Sequence, residues 1–520
     1  MITRTNIKSG EYYDSVTLME VAQGLLELEG VVDAAVVMGT PANKGILAGA
    51  DLLTPEAQAA VADDLVIAVR TESDEVAEQA LALAETLLEE TGKVSEEGGM
   101  LSPPKTMAEA LKRLDGANMV LISVAGRYAG GVAHEALTQG QHVFLFSDNV
   151  TVEDEIALKE LGREKGLLVM GPDAGTAIIN GVALGFANAV PAGPVGVVAA
   201  SGTGLQSETS SLARMGVGIT QAIGTGGRDL KTAVGGIMML EGLKALQVDP
   251  ATKVLLLVSK PPAPGVAAKV LAQLGASEKP AVVCFLGGDP KIISAAGGIP
   301  AETLEEAAYL AAALAAGQDA ESSLAQLAAD NAKLQVEAQK LRARLQPGQK
   351  YFRGLFSGGT FCYETQLILK ELGFKVISNA PVDKKLTMAD SNDSVGHVVV
   401  DLGEDEFTVG RLHPMIDPTL RNRRIIQEAE DPETAVIFLD VVLGYGVHPD
   451  PAGSAVEAIQ AARALAKAAG REVLFVASVC GTPGDPQNSV EQEAKLRAAG
   501  VQVLPTNAAA TRLAGYILDF

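Results

Sequence analysis

The stretch GPVGVVAASGTG, residues 193–204, decides the fold. Its β-branched run Val195–Ala200 leads directly into Ser201-Gly202-Thr203-Gly204, the pattern of a buried parallel strand turning into a helix. The pattern recurs where Gly354–Phe356 runs into Ser357-Gly358-Gly359-Thr360. After the first copy come Gly224-Thr225-Gly226-Gly227-Arg228-Asp229, a strand ending in Ser259-Lys260-Pro261-Pro262, and one ending in Gly287-Gly288-Asp289-Pro290. After the second come Asp401-Leu402-Gly403-Glu404-Asp405, a strand ending in Gly444-Tyr445-Gly446, and one ending in Gly481–Pro486. The lead-ins DPATKVLLLV (249–258) and DPETAVIFLD (431–440) also correspond. This shared order predicts a tandem duplication of one flavodoxin-like α/β unit, over residues 191–318 and 347–520.

Residues 105–190 precede the duplication. Met119–Val124, Val143–Phe146 and Leu167–Met170 read as strands with helices between them, a βαβαβ order. That order predicts a parallel Rossmann-like sheet whose ligand crevice lies beyond the strands' carboxyl ends. Residues 1–104 read as a small α+β domain, with strands Ile2–Ile7, Val31–Met38 and Leu65–Arg70 and helices Ser15–Glu29 and Asp74–Glu90. The loop-like Thr91–Pro104 marks its boundary. Between the repeats, residues 319–346 read as a linker helix. Its seam of Leu324, Leu327, Asn331, Leu334, Ala338, Leu341 and Leu345 either pairs with a partner or lies on the chain's own domain.

Composition narrows the function. Among 520 residues, Lys plus Arg is 41 and Asp plus Glu is 64, a formal net charge of −23. Such a surface repels phosphate backbones and anionic lipid, which argues against a nucleic-acid or membrane binder. Cys284, Cys362 and Cys480 are widely spaced, which supports neither a disulfide framework nor a thiolate metal site. No apolar run approaches the ~20 residues needed to span a bilayer, so the chain reads as soluble and cytoplasmic.

Against that charge, sites for small anions stand out. The turns Ser201–Gly204 and Ser357–Thr360 expose backbone N–H groups and hydroxyls at helix N-termini, where negative charge is favoured. Gly226, Gly227 and Arg228 are grouped with them as phosphate- or acyl-binding candidates. A third turn, Gly39-Thr40-Pro41-Ala42-Asn43-Lys44, adds a lysine. The strand ends Ser147-Asp148-Asn149 and Gly171-Pro172-Asp173 complete a candidate CoA- or nucleotide-like crevice with Gly39, Thr40, Asn43 and Lys44. Arg411-Leu412-His413-Pro414-Met415-Ile416-Asp417-Pro418, followed by Arg421, is the main cationic cluster. Asp417 reads as an N-cap and Pro418 as the first helical residue. Arg411 and Arg421 would clamp a carboxylate or phosphate, with His413 as acid, base or donor. No metal motif is evident.

These signatures resemble the succinyl-CoA synthetase superfamily and, more closely and over nearly the whole chain, the FdrA family. The matching residues are Tyr13-Asp14-Ser15-Val16, Met38-Gly39-Thr40, Phe146–Val150, Glu164–Asp173, Ala200–Gly204, Gly224–Asp229 and His413–Thr419. The resemblance implies a CoA-binding-type domain over 105–190 and two ligase-type domains after it. Synthetases carry phosphate on a histidine in a Gly-His-Ala-Gly turn. Here Leu286-Gly287-Gly288-Asp289-Pro290 has none, and no histidine follows until His397. The nucleotide-binding ATP-grasp half is also missing. The resemblance further implies a subunit of an oxamate-type carbamoyltransferase in purine or allantoin degradation. Such a subunit would work with partner subunits and a carbamate kinase in a homo- or hetero-oligomer, with phosphate or carbamoyl phosphate as substrate and CoA as an optional ligand. An acyl-CoA synthetase with an unrecognised carrier, and a non-catalytic scaffold, remain the alternatives.

Overall fold

The computed structural model describes residues 1–11, 13, 15–93, 104, 106–408 and 411–519. It divides into two compact units, Met1–Arg113 with Asp405–Leu412, and Leu114–Glu404 with His413–Phe520. Most of the boundary loop read at Thr91–Pro104, and Asp14 of the family signature, lie outside the described residues.

In the first unit, strand Asp64–Thr71 lies between Ile2–Ser9 and Val31–Met38, antiparallel to both. Helices Ser15–Leu26 and Asp74–Lys93 bury Leu18, Leu25, Ala77, Ala80 and Ala84 against one face. The other face is covered by Leu47, Leu52 and Ala57, from a segment read as a bare turn. That segment contains helices Pro41–Gly49 and Pro55–Ala59, each with proline at its start and a threonine cap.

The second unit contains the duplication. Its first large sheet runs Ile299–Pro300, Ala281–Phe285, Val254–Ser259, Ala192–Ala200, Ile219–Gly224, Thr176–Ile179, Val182–Gly185. Its second runs Gln502–Leu504, Leu474–Cys480, Thr434–Val442, Tyr351–Phe356, His397–Asp401, Val376–Ser378. In both, the first strand of the repeat sits between the second and third of the shared set, with parallel pairing throughout that set. This is the flavodoxin-like order, and its ligand crevice opens where strand order reverses. The central strands are buried on both faces, so they read as continuous Val/Leu/Ile runs.

Two expectations change. Thr176–Ile179 and Val182–Gly185, assigned to the Rossmann-like unit, form an antiparallel hairpin on the edge of the first repeat's sheet. The hairpin gives ladder partners to an edge that would otherwise stay open. The Rossmann-like sheet itself is small, with Met119–Ile122, His142–Leu145 and Val169–Met170 in parallel. The linker helix Ala320–Arg342 buries Leu327, Ala338 and Leu341 and packs beside Leu304–Ala315 and Asn507–Leu518. Its stripe therefore lies on its own domain.

Candidate functional site

The two glycine-rich turns meet. Helix Gly202–Arg214 begins at Ser201 and helix Gly359–Glu371 at Gly358. Ser201 Oγ lies 2.5 Å from Thr360 Oγ1. A Cβ on Gly358 would fall 2.5 Å from Thr203 Cγ2, so only glycine permits this approach. Two N-terminal dipoles thus converge on one pair of hydroxyls.

The turns are not equivalent. In the second repeat, the buried Asp440 carboxylate accepts the amides of Ser357 (2.8 Å) and Gly358 (2.7 Å) and the Ser357 hydroxyl (2.9 Å). It is a built-in anion. Arg421 stands behind it, donating to Ser357 Oγ at 2.8 Å and to the Asp440 carbonyl at 2.7 Å. In the first repeat the matched lead-ins place Val258 where Asp440 stands, and Val258 packs against Gly204. There the Ser201 hydroxyl caps the helix by accepting Gly204 N–H at 2.9 Å, and among the described residues no carboxylate accepts from the turn.

Around the junction stand three groups. Lys260, at the end of Val254–Ser259, reaches the second repeat, with its ammonium 5.5 Å from the Tyr363 ring centroid. Asp401 ends strand His397–Asp401, and its Oδ1 accepts Gly403 N–H at 2.9 Å. Burial raises its carboxyl to about 7, against the opposing pull of Lys260. His413 Nδ1 accepts Met415 N–H at 3.2 Å, which leaves the neutral ring's proton on Nε2. That Nε2 points at the Gly403 turn, 2.9 Å from where a Cβ would lie. Burial lowers His413 to about 4, so the ring is a neutral donor at pH 7.

Behind the junction, Glu208 and Glu364 occupy matching positions of the two helices, both buried. Glu364 accepts Leu304 N–H and Asn507 Nδ2–H, and burial raises it to about 7. Neither oxygen of Glu208 has a hydrogen-bond partner, and burial first and Glu364 second push its carboxyl well above the ordinary range.

Several sequence-derived candidates serve other purposes. Arg421 is 2% exposed and committed to Asp440 and Ser357. It shapes the turn and does not grip a substrate. Arg411 belongs to the Asp405–Leu412 segment of the first unit, whereas His413 and Arg421 belong to the second. Helix Thr419–Glu430 starts one residue later than expected, and Asp417 accepts Thr419 N–H and Oγ1–H, which occupies its carboxylate locally.

Gly39, Thr40, Asn43 and Lys44 lie in the first unit and close on themselves. Thr40 accepts Asn43 N–H, Asn43 Nδ2 donates to Met38 O, and Lys44 Nζ donates to the carbonyls of Gln58 and Ala60. A Cβ on Gly39 would meet Val61 O at 2.4 Å, so this glycine serves a close chain crossing.

The Gly226-Gly227-Arg228 signal is an internal lock. Gly226 has φ +86°, and a Cβ there would meet Pro172 O at 2.4 Å, beside Gly171. Arg228 bonds Val150 O and Glu155. Beneath them Lys159 is fully buried, its three donors used by Glu155 (2.7 Å), Asp229 (2.8 Å) and Thr225 O (2.9 Å). Ser147 Oγ accepts Val124 N–H, and its carbonyl accepts Asp173 N–H, which ties the strand ends together. Asp148, Asn149 and Asp173 remain exposed along that rim.

The residues that sequence reasoning missed are Lys260, Asp401, Asp440, Glu208 and Glu364. Lys260 and Asp401 stood within quoted strand-end signals. The other three are acids in apolar strand or helix patterns, where an unpaired buried charge is costly enough to be informative.

Comparison with known proteins finds matches to three family models. Residues 355–517 match the CoA-ligase family, 192–287 a CoA binding domain, and 1–103 the AllF heavy metal-associated domain. The CoA-binding match thus falls on the first repeat, whereas the resemblance places that domain at 105–190. No cluster of His, Cys, Asp or Glu suited to a metal occurs among the described residues. No described helix is long and apolar enough to cross a membrane. The fold and these domains define a CoA-ligase-type α/β protein.

The uncharacterized protein YahF of Escherichia coli (strain K12) is 45% identical over 501 residues, covering 96% of each chain. The chain belongs to the FdrA family of acyl-CoA synthetase-like proteins. Among solved structures, the dinucleotide-forming acetyl-coenzyme A synthetase 1 of Ca. Korarchaeum cryptofilum, in complex with phosphate and ADP, is 16% identical. It covers 78% of this chain and 83% of its own, with TM-score 0.33. PH0766 from Pyrococcus horikoshii OT3 is 15% identical, covering 81% and 88%, also at TM-score 0.33. Superpositions this loose say nothing about the site.

Proposed function

We propose that this chain is a subunit of a carbamoyltransferase that moves a carbamoyl group between a ureido acid and phosphate, in cytoplasmic nitrogen catabolism. The supporting observation is the asymmetric junction. One helix N-terminus is already neutralised by Asp440, whereas the Ser201–Gly204 turn beside it carries no internal carboxylate. A phosphate at Ser201–Gly204 would complete that turn as Asp440 completes the other. Ser201 and Thr360 hydroxyls, the Lys260 ammonium and His413 Nε2–H then supply donors for an oxygen that gains charge during acyl transfer.

In the reaction a phosphate oxygen attacks the ureido carbonyl carbon. The new C–O bond replaces the C–N bond, and the leaving nitrogen takes a proton. Asp401, held near neutrality by burial, can carry that proton. No phosphohistidine is required, in keeping with Leu286–Pro290. Partner subunits and a carbamate kinase would complete the system.

The test incubates the purified chain, with and without candidate partner subunits, with a ureido acid and phosphate, and follows carbamoyl phosphate. Phosphate-dependent formation supports the reading. If no combination forms it, the reading fails. An acid–thiol ligase is the second reading, favoured by the CoA-ligase and CoA-binding matches on the two repeats. Acid-labile phosphoprotein after incubation with ATP would favour it.

A further inference from the structure

Away from the junction, a cavity of about 380 Å³ lies between the two repeats. It opens beyond the carboxyl ends of the parallel strands Ala281–Phe285 and Ile299–Pro300, the end of such a sheet at which α/β proteins bind ligands. Its floor is apolar. Phe285 and Ile293 of the first repeat are buried there, and Leu367 of helix Gly359–Glu371 completes the floor from the second. Gly287, at φ +73°, lets its turn lean on Leu367, whose Cδ1 is 3.4 Å from where a glycine Cβ would lie. The mouth is charged. Lys370 and Glu371 stand three and four positions beyond Leu367, so one helix face presents all three, and Glu302 joins them from the first repeat. Among the described residues, none of these three charged side chains makes a hydrogen bond or an ion pair. Glu371 instead meets like charge. Burial first and Glu302 second raise its carboxyl above the ordinary value, and it sits at the negative end of its own helix. Arg512 pulls the other way but is committed to Glu305 at 2.6 Å. The cavity thus combines an apolar floor, two carboxylates in want of a cation, and one unpaired ammonium.

We propose that this cavity binds a small apolar α-amino acid as its zwitterion. The ligand's ammonium donates to Glu302 and Glu371, its carboxylate accepts from Lys370 Nζ, and its side chain covers Phe285, Ile293 and Leu367. A plain amine leaves Lys370 unmatched, and a fatty acid sets a third carboxylate against the first two. Both repeats line the cavity, so a bound ligand bridges them and stabilises the folded chain by mass action. Nothing in this site depends on the chemistry at Ser201 and Thr360.

Calorimetric titration of the full chain compares L-leucine with 3-methylbutylamine, which lacks its carboxylate, and 4-methylpentanoate, which lacks its ammonium. Leucine is expected to bind, to raise the melting temperature, and to exceed each analogue by about tenfold or more. Glu371→Gln should weaken leucine by about tenfold, and Lys370→Met should bring leucine down to the level of the amine. Both positions are exposed, and circular dichroism checks that each variant is folded. Absence of leucine binding overturns the proposal, as does an analogue that matches leucine. Leucine affinity unchanged in both variants overturns it too, because the amino acid would then be bound elsewhere. None of these results bears on carbamoyl phosphate formation, so this site and the carbamoyl-transfer reading fail separately.

Discussion

Glu208 offers a direct test of the buried junction, through Glu208→Gln. Its side chain is fully buried and neither oxygen has a hydrogen-bond partner, so the folded protein holds the acid protonated well above the ordinary glutamate range. The unfolded chain releases that proton near pH 4.3. Above that pH the unfolded state therefore binds fewer protons than the folded one, and stability falls as pH rises until the folded group ionises. The slope is about 1.4 kcal/mol per pH unit. Glutamine, an isostere of the neutral acid, removes it. As pH rises above about 4.3 the variant should gain steadily on wild type, for as long as the folded Glu208 stays protonated. Glu364, raised to about 7, contributes in the same direction over this window but is present in both proteins and cancels in the comparison. Urea midpoints followed by circular dichroism at several pH values measure the gain, with the difference between proteins as the readout, because a chain with several domains need not unfold in two states. A constant offset across pH would refute the reasoning, because it would mean that Glu208 is already ionised in the folded protein.

Lys159→Met should lower stability by about 3–5 kcal/mol, since Glu155 and Asp229 would lose their shared cation in a water-free site. Thermal unfolding reads this loss, and an unchanged melt would show that the network is hydrated. Arg421→Ala should cost a similar amount by leaving Asp440 uncompensated, and should unfold at lower urea concentration than wild type. Wild-type stability with lost turnover would instead restore Arg421 as a substrate clamp. His413 should show no protonation step between pH 5 and 8 in its ring NMR signals, because burial lowers it to about 4. A step near 6.5 would mean that solvent reaches the ring.

Much of the fold was legible because both local periods and strand-end signals survive in one dimension. The runs Val195–Ala200 and Val436–Val442 are apolar because both faces of a parallel strand are covered, and their glycine-rich ends mark the turn into a helix. The hairpin Thr176–Gly185 was missed because which sheet edge a short strand joins is a long-range matter. Helix Pro41–Gly49 was read as an open anion turn because glycine, threonine, asparagine and lysine look alike whether their donors face a ligand or the chain itself. The same ambiguity misled the reading of Gly226–Arg228, whose polar groups are satisfied by Val150 and Glu155. His413 stands at the Gly403 turn, in company that the sequence does not reveal. Arg411 and Arg421 stand near it in sequence, yet the side chain that faces the Gly403 turn with it is Asp401.

By itself, then, the sequence determined the duplicated α/β architecture, the family, and the two turns Ser201–Gly204 and Ser357–Thr360, since hydrophobic period and glycine placement are local properties. Only the tertiary structure decided which of those turns is vacant of internal charge and which acids are buried. It also decided that Ser201 meets Thr360 and that Lys260 reaches across the repeat boundary to the Tyr363 ring. Charge pairing and desolvation depend on distance in space, and Asp440 lies 83 positions from Ser357 and Ser201 159 from Thr360 along the chain.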